Sequence, residues 1–142
     1  MVKYFTKEDE KEIVKAIQDA EKHTSGQIHV HLRKKCKKEP LAEAHQVFKK
    51  LGLHRTKEKN VVLIFVAPES RHLAIVGDEG IHVKVGAHFW DQTRDLMLEF
   101  FKKNQMKQGV VAGIRSAGEK LRQYFPVKPG NSNLIADIIT ED

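Results

Sequence analysis

Apolar residues along this chain recur with two different periods. Val61 to Ala67 is an unbroken run of β-branched, aliphatic and aromatic side chains between polar turns, which predicts a strand buried on both faces. Pro68-Glu69-Ser70 makes a short turn, and Leu73 to Val76 reads as a second strand, completing a hairpin. Gln27 to Arg33 alternates instead. Ile28, Val30 and Leu32 share one side and Gln27, His29, His31 and Arg33 the other, as in a half-buried strand. Helical spacing appears at Ile13, Ala16, Ile17 and Ala20, then at Leu41, Ala44, Val47, Phe48 and Leu51. It returns at Phe89, Trp90, Met97, Phe100 and Phe101, and again from Val110 to Leu121.

Punctuation sets the boundaries. Thr6, with an acid at the third position after it, forms a capping-box start for the first helix, and Thr24-Ser25-Gly26 ends it. Pro40 suits a first helical position and Gly52 closes the second helix. The third helix is expected to begin between Ala87 and Trp90. The fourth is expected from about Met106 to the Phe125-Pro126 stop. Ile81 to Val85 alternates weakly and reads as extended chain or loop before Gly86. The element order gives an α/β fold in one domain, residues 1–126: a small mixed sheet with helices on both faces. Residues 127–142 read as a turn-rich, mobile tail, in which Leu134-Ile135 and Ile138-Ile139 could still dock or add an edge strand.

Composition narrows the function classes. A chain of 142 residues with 40% apolar content supports one core. No apolar run approaches a membrane span, and Met1 to Glu10 has no secretory pattern, so a cytoplasmic location is expected. One cysteine, Cys36, excludes an internal disulfide and a multi-cysteine zinc site. Its lysine and arginine neighbours favour a thiolate, but no base or oxyanion motif accompanies it, so it reads as a bystander. The net charge of +6 raises the question of nucleic acid. The Arg33 to Lys38 cluster lacks interleaved aromatics and reads as a solvated loop. The expectation is a monomer with an unspecified protein partner and without nucleic acid.

The candidate chemistry lies after the hairpin. In Gly77-Asp78-Glu79-Gly80 two carboxylates stand between glycines, whose freedom at φ > 0 would let the acids and nearby carbonyls turn toward one point. Hard cations such as calcium take such oxygen donors, whereas the plain alternative is a tight turn with two solvated acids. The loop from Leu53 to Asn60 brings Glu58, the Asn60 side chain and a row of carbonyls. Asp91 and Asp95 lie near the start of the third helix. His29 and His31 form an H-x-H pair without an identifiable third zinc ligand, so an exposed or helix-facing strand surface is the expected role. Phosphate loops, dinucleotide fingerprints, nucleophile elbows, H-E-x-x-H and EF-hand loops are absent from the sequence.

Four segments in order, Phe48 to Leu53, Asn60 to Ala67, Ile75 to Ile81 and Gly109 to Ile114, together resemble the TPM domain family over roughly Phe5 to Phe125. The resemblance implies a three-layer αβα sandwich around about four strands, with divalent cations, calcium first and magnesium or manganese as alternatives, bound where loops cross. It carries the acidic loop onto Asp78 and Glu79, the acid of the next helix onto Asp91, and the preceding loop onto Glu58 to Asn60. The implied role is a metal-responsive interaction or regulatory module. One alternative is a metal-assisted phosphatase using the same acids with His82 or His88, an activity ascribed to plant relatives. Another is a metal-independent adaptor with a basic surface. Many relatives carry a signal peptide, a membrane anchor or a glycine-rich tail. This sequence shows no such pattern and is expected to be a stand-alone version, and it has Asn60-Val61 where many have Asn-Gly.

Overall fold

A strand without polar positions needs cover on both sides, and in the computed structural model β2 (Val61–Ala67) has it: all seven residues are buried. The structure describes residues 4–127 and 139–142. The remaining elements are α1 (Lys7–Glu21), β1 (Gln27–Leu32), α2 (Pro40–Lys50), β3 (His72–Gly77), α3 (Glu79–Val85), α4 (Asp91–Lys102), α5 (Met106–Tyr124) and β4 (Ile139–Glu141), with short 3-10 turns at Leu53–Arg55 and Pro68–Ser70. The sheet order is β3-β2-β1-β4. β1 runs parallel to β2 and β4, and β3 pairs antiparallel to β2, so the sheet is mixed.

The two sheet faces carry separate cores. Ile28, Val30, Val62, Ile64 and Ile75 pack with Ile13, Ile17, Met97, Ile114 and Leu121 of α1, α4 and α5. Leu63, Phe65, Ala74 and Val76 pack with Ala44, Val47 and Phe48 of α2. The three-layer sandwich follows directly. Thr6 and Asp9 form the expected capping box on α1, and Pro40 opens α2. Along α5, Gly109 and Gly113 let α4 approach: a Cβ at Gly109 would lie 2.5 Å from Phe101 Cε1, and one at Gly113 would collide with Met97 Sδ.

Three expectations change. Ile81 to Val85 is helix, not extended chain. Asp78 caps the Glu79 N–H, fully buried Ile81 anchors the turn, and Val83 is left 74% exposed. Tertiary anchoring here overrides the β-propensity of Ile-His-Val-Lys-Val. β1 is buried along its whole length rather than on one face, because β4 covers the side of His29 and His31, with Thr140 bonded to both. Gly77 and Gly80 do not use positive φ, unlike Gly52 and Gly86. They are needed for close approach: a Cβ at Gly77 would stand 2.9 Å from Trp90 Nε1, and one at Gly80 would strike the Lys59 carbonyl oxygen. Of the tail, residues 128–138 lie outside the described residues, including Leu134-Ile135, while Ile139–Glu141 forms the edge strand β4.

Candidate functional site

Where β3 ends, the Asp78 N–H donates to the Val61 carbonyl, 2.8 Å away, fixing the start of α3 beside the start of β2. Gly80 then lies against the preceding loop: a Cβ there would stand 2.9 Å from the Glu58 carbonyl oxygen and closer still to that of Lys59. This is how the fold joins the 53–60 loop to the acidic turn. Asp78 is 4% exposed. One carboxylate oxygen, Oδ1, accepts the Glu79 N–H at 2.8 Å; Oδ2 is buried with no hydrogen-bond partner among the described residues. Burial raises the Asp78 pKa, opposed by the Glu79 N–H and by the charges of Lys59 and His54. Two further buried polar atoms without partners belong to the same loop, His54 Nδ1 and Thr56 Oγ1.

The other expected ligands are dispersed. Glu79 is exposed and shares with Asp78 a cleft of about 500 Å³ also lined by His45, His82 and Trp90. Glu58 is exposed, and its carbonyl rather than its side chain is what meets Gly80. Asn60 is buried and acts as scaffold, its amide donating to Ser25 Oγ at 3.3 Å while its carbonyl accepts the Gln27 N–H. Asp91 lines a neighbouring cleft with Trp90 and Arg94, and its carboxylate pairs with His88 Nδ1 at 3.1 Å and Arg94 Nη1 at 3.8 Å. Among the described residues, no group of three His, Cys, Asp or Glu side chains is placed to hold a metal.

A second polar constellation sits at the β1–β4 edge. The register sets Thr140 beside His31. Thr140 Oγ1 hydrogen-bonds both His29 Nε2 (2.9 Å) and His31 Nδ1 (2.6 Å), and Asp142 Oδ1 meets His31 Nε2 at 2.9 Å. Burial lowers the His29 pKa to about 4, with a smaller contribution from His31. The H-x-H pair is therefore occupied by the chain's own C-terminal strand. Arg33 reaches from Asp142 to Glu43 Oε1 (2.9 Å), and Glu43 Oε2 accepts the Lys38 N–H (2.6 Å) and the Cys36 thiol (3.0 Å). These bonds hold Glu43 at about 2. Burial and the Glu43 carboxylate push the Cys36 thiol up to about 11, which corrects the expected thiolate. Thr140, Asp142, Glu43, His54 and Thr56 were not singled out in the sequence. Their partners are set by tertiary packing, and no local motif announces them.

No curated protein is significantly similar to this chain. Among solved structures, the BA42 protein from the psychrophilic bacterium Bizionia argentinensis is 42% identical, with a TM-score of 0.92 over 100% of this chain and 98% of that one. The N-terminal domain of the cg2496 protein from Corynebacterium glutamicum (19% identity, TM-score 0.66, 82% and 74% coverage) has a similar fold. So does that of a P. gingivalis protein (12% identity, TM-score 0.72, 87% and 80% coverage). The sequence profile of the TPM domain matches residues 1–120, and the chain belongs to that family.

Proposed function

We propose that this TPM domain is a divalent-cation-responsive module whose site is centred on Asp78. The observation that carries the reading is the Asp78 carboxylate, nine-tenths buried, with Oδ2 unpartnered. Leaving a buried carboxylate oxygen without a donor is costly, and a bound ion removes that cost. The donors that the two turns offer are hard oxygens: the carbonyls of Glu58 and Lys59 against Gly80, the Thr56 hydroxyl of the 53–60 loop, and the exposed Glu79 carboxylate next in sequence. Such a set suits calcium or magnesium rather than a thiophilic metal. A single buried carboxylate, with Lys59 contributing positive charge, argues for weak affinity, a Kd of about 0.1–1 mM as in low-charge calcium modules. Asp91, tied to His88 and Arg94, would stand outside the coordination shell.

Bound calcium would tie the 53–60 loop to the α3 turn and so set the shape of the cleft that holds His45, His82 and Trp90. That cleft is then the surface whose partner binding follows metal level. Thermal unfolding with and without calcium tests the reading. At about 100 times Kd, calcium stabilises the parent by about 2.7 kcal/mol. Asp78→Asn keeps the α3 cap and removes the charge, so it melts no lower than the parent without metal and ignores calcium. A calcium-independent parent would leave the adaptor reading standing. Metal-dependent turnover of a phosphate monoester, lost in both Asp78→Asn and His82→Asn, would favour the phosphatase reading instead.

A further inference from the structure

A second site lies at the opposite end of the sheet from Asp78, about 20 Å along β2 at roughly 3.3 Å per residue. Here two turns face each other across a cavity of about 410 Å³. One is the β2–β3 connection, where Pro68–Ser70 leads into Arg71 at φ 55°. The other joins α4 to α5 through Asn104 at φ 57°. The floor is apolar: buried Ala67, with half-buried Leu98, Phe101 and Met106. Phe101 is held in place by Gly109, whose missing side chain makes room for the ring. The rim carries the cations Arg71 and Lys102, with His72 beside them. Arg71 and His72 have no ion pair among the described residues, and Lys102 has only an exposed one with Glu99 at 3.8 Å.

We propose that this cavity binds a free, single-chain carboxylate of medium length, its hydrocarbon body on Leu98, Phe101 and Met106 and its head group against Arg71. The volume falls within the range of small-molecule pockets, and the cavity opens at the carboxyl end of β2, where open α/β sheets place their ligands. The apolar floor selects the chain. An uncompensated guanidinium selects a carboxylate, which it takes through paired N–H donors. An alcohol of equal length satisfies the floor and not the rim, and a cationic amphiphile is repelled. The site shares no lining residue with the Asp78 cleft, so its occupancy does not depend on metal.

The test is an amide-shift titration of the full chain with decanoate, decanol and decyltrimethylammonium, each kept below its self-association concentration. Decanoate should give saturable shifts confined to residues 66–72 and 98–106. Decanol should bind about tenfold more weakly, the equivalent of one charge-assisted contact, and the ammonium more weakly still. Arg71→Ala, at an exposed position, should bring decanoate down to the decanol level without changing the melting temperature. Equal binding of all three amphiphiles, shifts that map elsewhere, or an unaffected Arg71→Ala would overturn the proposal. So would a response only to vesicles of anionic lipid, which would identify a membrane surface. A Gly109→Ala variant, in which Phe101 is displaced, should weaken decanoate and decanol alike.

Discussion

Arg33 grips Asp142 in a two-point contact, Nε to Oδ1 and Nη2 to Oδ2, both at 2.8 Å. The pair joins residues 109 positions apart and fastens β4 to the sheet through the residue that follows the strand. Asp142 also meets His31, and Arg33 also serves buried Glu43, so the contact links the edge strand to the α2 side of the core. Asp142→Ala should cost about 2 kcal/mol, the usual worth of a charge-assisted hydrogen-bonded contact. Arg33→Ala should cost more, about 3 kcal/mol or above, because it also strips Glu43 of its cation. Urea unfolding of both variants checks the order. Equal losses would mean that Glu43 is satisfied by Cys36 and Lys38 alone.

The same edge sets an acid response in two windows. His29 titrates near 4 in the folded protein and near 6.5 unfolded, so the unfolded chain binds a proton between those values that the folded one refuses. Stability is full above pH 6.5 and falls as the pH drops toward 4, by about 3 kcal/mol over that span. Burial lowers the His31 pKa in the same sense. Asp142, held below the usual carboxylate range by Arg33 and then His31, adds a further loss only below about pH 4. His29→Gln should flatten the upper window and Asp142→Ala the lower one, read as unfolding free energy against pH. A His29→Gln profile that matches the parent between pH 6.5 and 4 would contradict this assignment.

Much of the frame was legible because it is written in local periods. The Thr6–Asp9 capping box, Pro40 at the head of α2 and the apolar run of β2 each fixed an element by itself. What failed depended on residues distant in sequence. The polar face of β1 reads as an exposed or helix-facing surface because the residues that cover it, Thr140 and Asp142, lie more than 100 positions away. α3 was hidden because one buried residue, Ile81, anchors it and no helical stripe marks it. In the site, the 58–60 loop meets the Asp78 turn as the sequence resemblance implies, though the glycines serve contact rather than backbone freedom. Asp91 drew attention by spacing, but α3 and Trp90 intervene in the chain and its carboxylate turns to His88 and Arg94.

Gly80 offers a test of that contact. A methyl group there must displace the Lys59 carbonyl, which is backbone and has little room to yield. Gly80→Ala should destabilise the fold by about 1–3 kcal/mol, as overpacking does. It should also push the 58–59 loop off the α3 turn and weaken calcium binding more than it weakens the fold. Thermal unfolding with and without calcium separates the two effects. An alanine variant with unaltered calcium response would show that the loop carbonyls are not ligands.

The account turns on Asp78, and an amide-resolved calcium titration of the parent and of Asp78→Asn addresses it most directly. In the parent, saturable shifts should cluster at residues 54–60 and 77–82, leave α1 and the β1–β4 edge unmoved, and give a Kd of about 0.1–1 mM. In Asp78→Asn, folded and equally stable, those shifts should vanish. A parent that shows no saturable shifts, or shifts centred on His88 and Asp91 that persist in Asp78→Asn, would contradict it.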